Sequence, residues 1–159
     1  MRTLVLLFHP HLDSSTANRI LAEEMATRGV EVRNMYALYP DLRIDVPLEQ
    51  SLLDQADRII LQFPTYWYAG PALMKQWIDS VLTPGWAYEG GWHLRGKIFQ
   101  ILTTSGGDLS DAPHFLAPLE ATINYVQGQW QQPISISNTA YTNKEELAAQ
   151  LRGCVDKLF

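Results

Sequence analysis

Cysteine is almost absent from this chain. Cys154 stands alone, which excludes an internal disulfide and any cysteine-built zinc site. Charge is sparse: 18% of residues are charged, the formal net charge is -5, and Lys and Arg form no cluster, which argues against nucleic acid as a partner. Long apolar runs are missing too. Leu4-Val5-Leu6-Leu7-Phe8 and Ile59-Ile60-Leu61 fall far below the roughly 18 residues that a membrane span requires. No basic n-region or small-residue cleavage site marks the start, so a cytoplasmic location is expected. GxGxxG and GxxxxGK[ST] do not occur where a phosphate loop would sit, which disfavours a dinucleotide Rossmann loop and a nucleoside-triphosphate P-loop. HExxH and GxSxG are absent, and a His9/His11 pair is too little to hold zinc, so no metal site is expected. What the chain does hold is 47% apolar residues in 159 positions, material for one ordered domain spanning residues 1–159. It also holds 5 Trp, 7 Tyr and 5 Phe, many of them between the periodic segments.

Thr3 to Phe8 reads as a strand buried on both faces. Ser14 to Arg28 reads as a helix with good N-caps at Ser14, Ser15 and Thr16 and a stop at Gly29. Val30 to Met35 alternates as a second strand, and Tyr36 to Pro47, with two prolines and no period, reads as loop. Leu48 to Ala56 is a short helix and Arg58 to Phe63 a third buried strand. Pro71 fits the first turn of a helix with Leu73, Met74, Trp77, Ile78 and Val81 on one face, ended by Pro84-Gly85. Lys97 to Thr103 is a fourth strand, Phe115 to Tyr125 a helix, Ile134 to Ile136 a short fifth strand, and Asn143 to Leu158 the closing helix. Alternating strands and helices predict an α/β fold: a doubly wound parallel five-stranded sheet in the flavodoxin-like order 2-1-3-4-5. Ligands of such sheets bind beyond the carboxyl ends of the strands, so the loops after strands 1, 3 and 4 are the ones of interest.

The first loop runs from His9 to Asn18 and ends on a helix N-terminus. Its free N–H groups and dipole make a phosphate seat, with Ser15, Thr16 and Asn18 adding side-chain donors, although ordinary capping explains the same residues. The second loop, Phe63-Pro64-Thr65-Tyr66-Trp67-Tyr68-Ala69-Gly70-Pro71, places three aromatics after a buried strand. That pattern suits a flat amphipathic ligand, a subunit interface, or both. The third, Thr103-Thr104-Ser105-Gly106-Gly107-Asp108, has small residues that admit a ligand close to the backbone. His9 and His114 are the histidines nearest these loops; His11 and His93 read as surface.

The run Phe63-Pro64-Thr65-Tyr66-Trp67-Tyr68-Ala69-Gly70-Pro71-Ala72-Leu73-Met74-Lys75-Gln76-Trp77, followed by Gly85-Trp86-Ala87-Tyr88, resembles the NAD(P)H:quinone oxidoreductase family of flavodoxin-like flavoproteins. The resemblance covers nearly the whole chain. Tyr36 to Asp41, with Ile44-Asp45, is most similar to the branch containing ancillary subunits of glutathione-gated potassium-efflux systems. The resemblance implies a flavin whose phosphate side is held at His9, Ser15, Thr16, Ala17 and Asn18. It implies a ring bordered by Thr65, Tyr66, Trp67 and Tyr68 and by Thr103, Thr104, Ser105 and Gly106. The chain lacks the C-terminal extension of the longer FAD enzymes, so FMN is expected, with FAD as the alternative and NAD(P)H as co-substrate. A homodimer is implied, with Tyr88 approaching the partner's site. A tyrosine and a histidine that assist hydride transfer in the family have no clear counterpart, because the segment Asp108 to Ala117 is shorter and holds no tyrosine; His114 is the candidate catalytic replacement. The family's TTGG is TTSG here. Asn18→Ala is expected to weaken FMN and leave the melting of the apoprotein almost unchanged.

Three functions follow as expectations. The first is a flavin-dependent oxidoreductase passing hydride from NAD(P)H to a quinone or similar acceptor. The second is a regulatory partner docked on a potassium-efflux transporter, and so peripheral at the inner membrane. The third is a one-electron shuttle, against which the aromatic second loop and modest charge stand.

Overall fold

The computed structural model describes residues 1–159. Its strands are β1 (Thr3–Leu7), β2 (Glu31–Asn34), β3 (Arg58–Pro64), β4 (Ile98–Thr104), β5 (Gln129–Trp130) and β6 (Ile134–Ile136). Its helices are α1 (Thr16–Thr27), α2 (Met35–Leu38), α3 (Val46–Gln55), α4 (Ala72–Val81), α5 (Ala112–Tyr125) and α6 (Lys144–Leu158). The strands pair in parallel in the order β2-β1-β3-β4-β5, with β6 also on β4. This is the flavodoxin-like order that the alternation of elements predicts.

Alternation along β1 explains the two layers. Leu4, Leu6 and Phe8 enter one apolar cluster with Ile59, Leu61, Phe63 and the inner faces of α3, α4 and α5. Val5 enters the other with Ile60, Leu102 and the inner faces of α1 and α6. Strands buried on both faces need no polar alternation, which is why they read as continuous apolar runs.

The structure corrects the sequence reading in three places. Tyr36 to Pro47 is not all loop: α2 covers Met35–Leu38, and α3 begins at Val46. Side-chain caps start both helices, Asn34 accepting from the Ala37 N–H and Asp45 from the Leu48 N–H. Pro47 sits in the first turn of α3, where its missing N–H costs nothing. The helix expected from Phe115 begins at Ala112, with Pro113 again in a first turn. The fifth strand is broken in two. Gln129–Trp130 pairs with Ile98–Phe99 and Ile134–Ile136 with Leu102–Thr104, and Pro133, which has no N–H to donate, lies in the gap. No helix is long and apolar enough to cross a membrane.

Candidate functional site

The loops after β1, β3 and β4 meet at the carboxyl edge of the sheet around a cavity of about 350 Å³. The first loop turns through a short 3-10 segment, Leu12–Ser14, and Ser15 then caps α1, its hydroxyl accepting from the Asn18 N–H at 3.3 Å. The N–H groups of Thr16 and Ala17 have no partner within the chain, as expected of a first helical turn. Both residues line the cavity.

Across the cavity, Thr104, Ser105 and Gly106 present further donors. The Gly106 N–H is unpartnered, and so is the hydroxyl proton of Thr104, whose oxygen accepts from the Asn18 amide at 2.8 Å. Thr103 is buried; its hydroxyl bonds the Phe63 carbonyl at 3.0 Å and the Thr65 hydroxyl at 2.8 Å, locking loops two and three together. No Asp, Glu, Lys or Arg lines the cavity. It is a cradle of neutral donors at the positive end of a helix, suited to an anionic group that needs many hydrogen bonds. A phosphate fits this donor set.

His9 forms the wall beside Tyr66, their rings 6.3 Å apart edge to face. Its Nδ1 accepts the His11 N–H at 3.1 Å, which leaves the proton of the neutral ring on Nε2. Burial, and then the charge of His11, hold its pKa below 6.5. The fold therefore prefers the neutral ring. That contribution to stability is whole above pH 6.5 and is lost as pH falls through the depressed value. The apoprotein should lose stability below pH 6.5 more steeply than a His9→Gln variant in urea titrations across the acid range. Parallel profiles would show that His9 is not held neutral.

Loop two ends in a tight hairpin. Tyr66 and Ala69 exchange backbone hydrogen bonds of 2.8 and 3.0 Å, and Trp67 and Tyr68 between them take φ values of 49° and 60°. This turn geometry favours Asn-Gly. Trp67 is 94% exposed, so no packing offsets its strain, while the Tyr68 ring meets Phe115 at 6.1 Å. The N–H groups of both have no partner in the chain. Left-handed backbone costs a non-glycine residue roughly 1–2 kcal/mol. Trp67→Asn should therefore stabilise the apoprotein by about 1 kcal/mol, because Asn tolerates this region. A urea midpoint unchanged or lower would refute that.

The expected site residues divide. His9, Ser15, Thr16, Ala17, Asn18, Thr65, Tyr66, Thr104, Ser105 and Gly106 all line the cavity. Thr103 lies beneath it, and Trp67 and Tyr68 stand at its margin outside the lining. His114 is not brought in: its side chain is 87% exposed on the first turn of α5, 3.9 Å from Asp111. Tyr88 lies elsewhere, in a groove of about 490 Å³ between α4 and α5, its ring 5.7 Å from Tyr125. His93, expected at the surface, is exposed and bonds Asp54 at 2.8 Å. Asn18 is 1% exposed, with its amide turned onto protein. That revises the expectation for Asn18→Ala: losing the amide unpairs buried groups, so the apoprotein itself should melt lower. The sequence reading missed Thr139 and Ala140, which close the cavity from beyond β6. They are stitched to loop three by the Thr139 N–H on the Ser105 carbonyl at 3.0 Å. Their position past a strand's carboxyl end was the available signal.

Comparison with known proteins agrees with this geometry. A family model described as flavodoxin-like fold matches residues 1–158. The glutathione-regulated potassium-efflux system ancillary protein KefF of Klebsiella aerogenes is 41% identical over 94% of this chain and 90% of its own. The general stress protein 14 of Treponema denticola, solved in complex with FMN, superposes with a TM-score of 0.90 at 30% identity, over 100% of both chains. An NADPH-quinone reductase from P. pentosaceus superposes with a TM-score of 0.81 at 27% identity, over 97% of both. Sheet order, cavity position and these matches agree, and the chain belongs to the flavodoxin-like fold family.

Proposed function

We propose that this chain is an FMN-dependent oxidoreductase that takes hydride from NAD(P)H and passes reducing equivalents to a quinone or similar acceptor. The observation that carries the reading is the neutral donor cradle beside the strained aromatic turn. One end suits a phosphate and the other a flat ring. The FMN-bound and quinone-reductase relatives support it. Ser15, Thr16 and Ala17 hold the phosphate. His9 offers an Nε2–H at the same end. Thr65 to Tyr68 and Thr104 to Gly106 border the ring, and the unpartnered N–H groups of Trp67, Tyr68 and Gly106 are available to its polar edge. Bound there, FMN would supply the hydride-accepting chemistry. The backbone donors near the ring favour added negative charge, since they are fixed before the reaction. His114 stays outside this arrangement in one chain. Tyr88 reaches a flavin only across a dimer, which its aromatic groove with Tyr125 supports.

A second reading rests on the same fact about His114. With no titratable side chain of loop three at the cavity, turnover in this reading is slow and the fold serves a transporter. The KefF relative favours a role beside a potassium-efflux system, and with it association at a membrane surface.

One experiment separates these readings. Purified protein is titrated with FMN and with FAD, then mixed with NADPH and a quinone while flavin absorbance is followed. Binding of FMN with rapid bleaching and quinone-dependent recovery is expected. Binding without rapid bleaching would move the conclusion to the transporter partner. Failure to bind FMN would overturn both uses of the flavin.

A further inference from the structure

Asn18 sits at the junction of the phosphate end and the β3–β4 edge, yet its amide faces protein. Its Nδ2 donates to the Thr104 hydroxyl oxygen at 2.8 Å and to the Ser15 hydroxyl oxygen at 3.4 Å. Its backbone N–H donates to the same Ser15 oxygen at 3.3 Å. Its Oδ1 and its carbonyl accept from Gln62 Nε2, at 3.3 and 2.9 Å. The Asn18 carbonyl can only accept, which keeps the nitrogen of the buried Gln62 turned toward it, so the Asn18 amide has one orientation: oxygen toward Gln62, nitrogen toward the two hydroxyls.

A hydroxyl has one proton and two lone pairs. Ser15 and Thr104 each receive hydrogen bonds from Asn18, and neither hydroxyl proton has an acceptor within the chain. Both residues line the cavity. From this we infer that Asn18 is a positioning residue. Held by Gln62, it occupies a lone pair on each hydroxyl and turns both protons into the cavity, so the Ser15 oxygen behaves as a donor to the phosphate and the Thr104 oxygen as a donor on the ring side. This rests on the reading of the cavity as a flavin phosphate site.

Asn18→Asp tests it with little change of shape. A carboxylate still accepts from Gln62, but its other oxygen now accepts from Ser15 and Thr104 and turns both protons away from the cavity. FMN and riboflavin, which lacks the phosphate, are titrated by calorimetry into wild type, Ser15→Ala, Asn18→Asp and the double variant. In the wild-type background Ser15→Ala should cost FMN about tenfold or more in affinity, one hydrogen bond to a charged group. It should cost riboflavin little. In the Asn18→Asp background Ser15→Ala should cost nothing further, because the proton is already turned away. Charge repulsion alone would leave the Ser15→Ala loss the same in both backgrounds, and that result overturns the inference. Asn18→Ala serves if the Asp variant does not fold. It leaves both hydroxyls free to donate and should keep the preference for FMN over riboflavin. Loss of that preference would place Asn18 on the phosphate itself and overturn the inference. Wild type that binds neither flavin would remove the flavin reading and this role together. Wild type that binds FMN with equal Ser15→Ala losses removes this role alone.

Discussion

Glu49→Ala is expected to cost the largest stability of any single substitution outside the apolar core. Glu49 is fully buried in α3. Its carboxylate accepts from the Tyr39 hydroxyl at 2.7 Å, from Trp77 Nε1 at 3.0 Å and from the Arg33 guanidinium. Burial first, and then the bond to Glu49 and its charge, push the Tyr39 phenol up to about 12, so it remains a donor through the neutral range. Removing the carboxylate leaves Arg33 without its counter-ion, with its Nε already unpartnered, and strands two buried donors. Breaking a buried pair at one end costs about 3–5 kcal/mol. Against a total stability of roughly 5–15 kcal/mol this is a large share, and it corresponds to a fall in Tm of roughly 10 °C for a chain of this size. Urea unfolding followed by circular dichroism checks it. A loss below about 1 kcal/mol at unchanged slope would show that water or a neighbouring group replaces the carboxylate.

A preference for FMN over riboflavin of at least about a thousandfold is the largest effect expected at the cavity. Three donors at the start of α1 lack partners: the N–H groups of Thr16 and Ala17 and the hydroxyl of Ser15. Each hydrogen bond to a charged group contributes about 1.5–3 kcal/mol, and three of them exceed the ~4 kcal/mol that a thousandfold requires even after some non-additivity. With no Lys or Arg lining the cavity, the preference should also change little with salt, because fixed dipoles at short range are screened less than exposed charges. Calorimetric titration of both flavins at low and high salt decides it. A preference below about tenfold would show that the phosphate lies elsewhere, and a steep salt dependence would show that a cation outside the cavity holds it.

Much of this was open to reading along the chain. The burial pattern of β1, β3 and β4 is a property of local composition, since strands covered on both faces must be apolar throughout. Element order follows, and with it the edge at which the loops meet. Ser15 as a cap and the small residues after β4 could be seen for the same local reason. The run from Phe63 to Trp77 carried the resemblance to flavin enzymes. Pro47 misled, because a proline breaks a helix or starts one according to its distance from a cap, and that distance rests on which side chain folds back.

What local pattern determined here is therefore the parallel sheet, its order and the placing of three loops on one edge. Tertiary structure alone decided which polar groups face inward. Glu49 lies in an unremarkable charged stretch, and only the approach of Tyr39, Trp77 and Arg33 from other elements makes its burial tolerable. Asn18 was expected to point at a ligand; Gln62, 44 residues away, turns its amide onto protein instead. His114 lies close to the third loop in sequence, yet α5 begins early and carries it out into solvent. Periodicity reports the side on which an element is covered. The direction of a polar side chain depends on partners distant in sequence, and those exist only once the layers have packed.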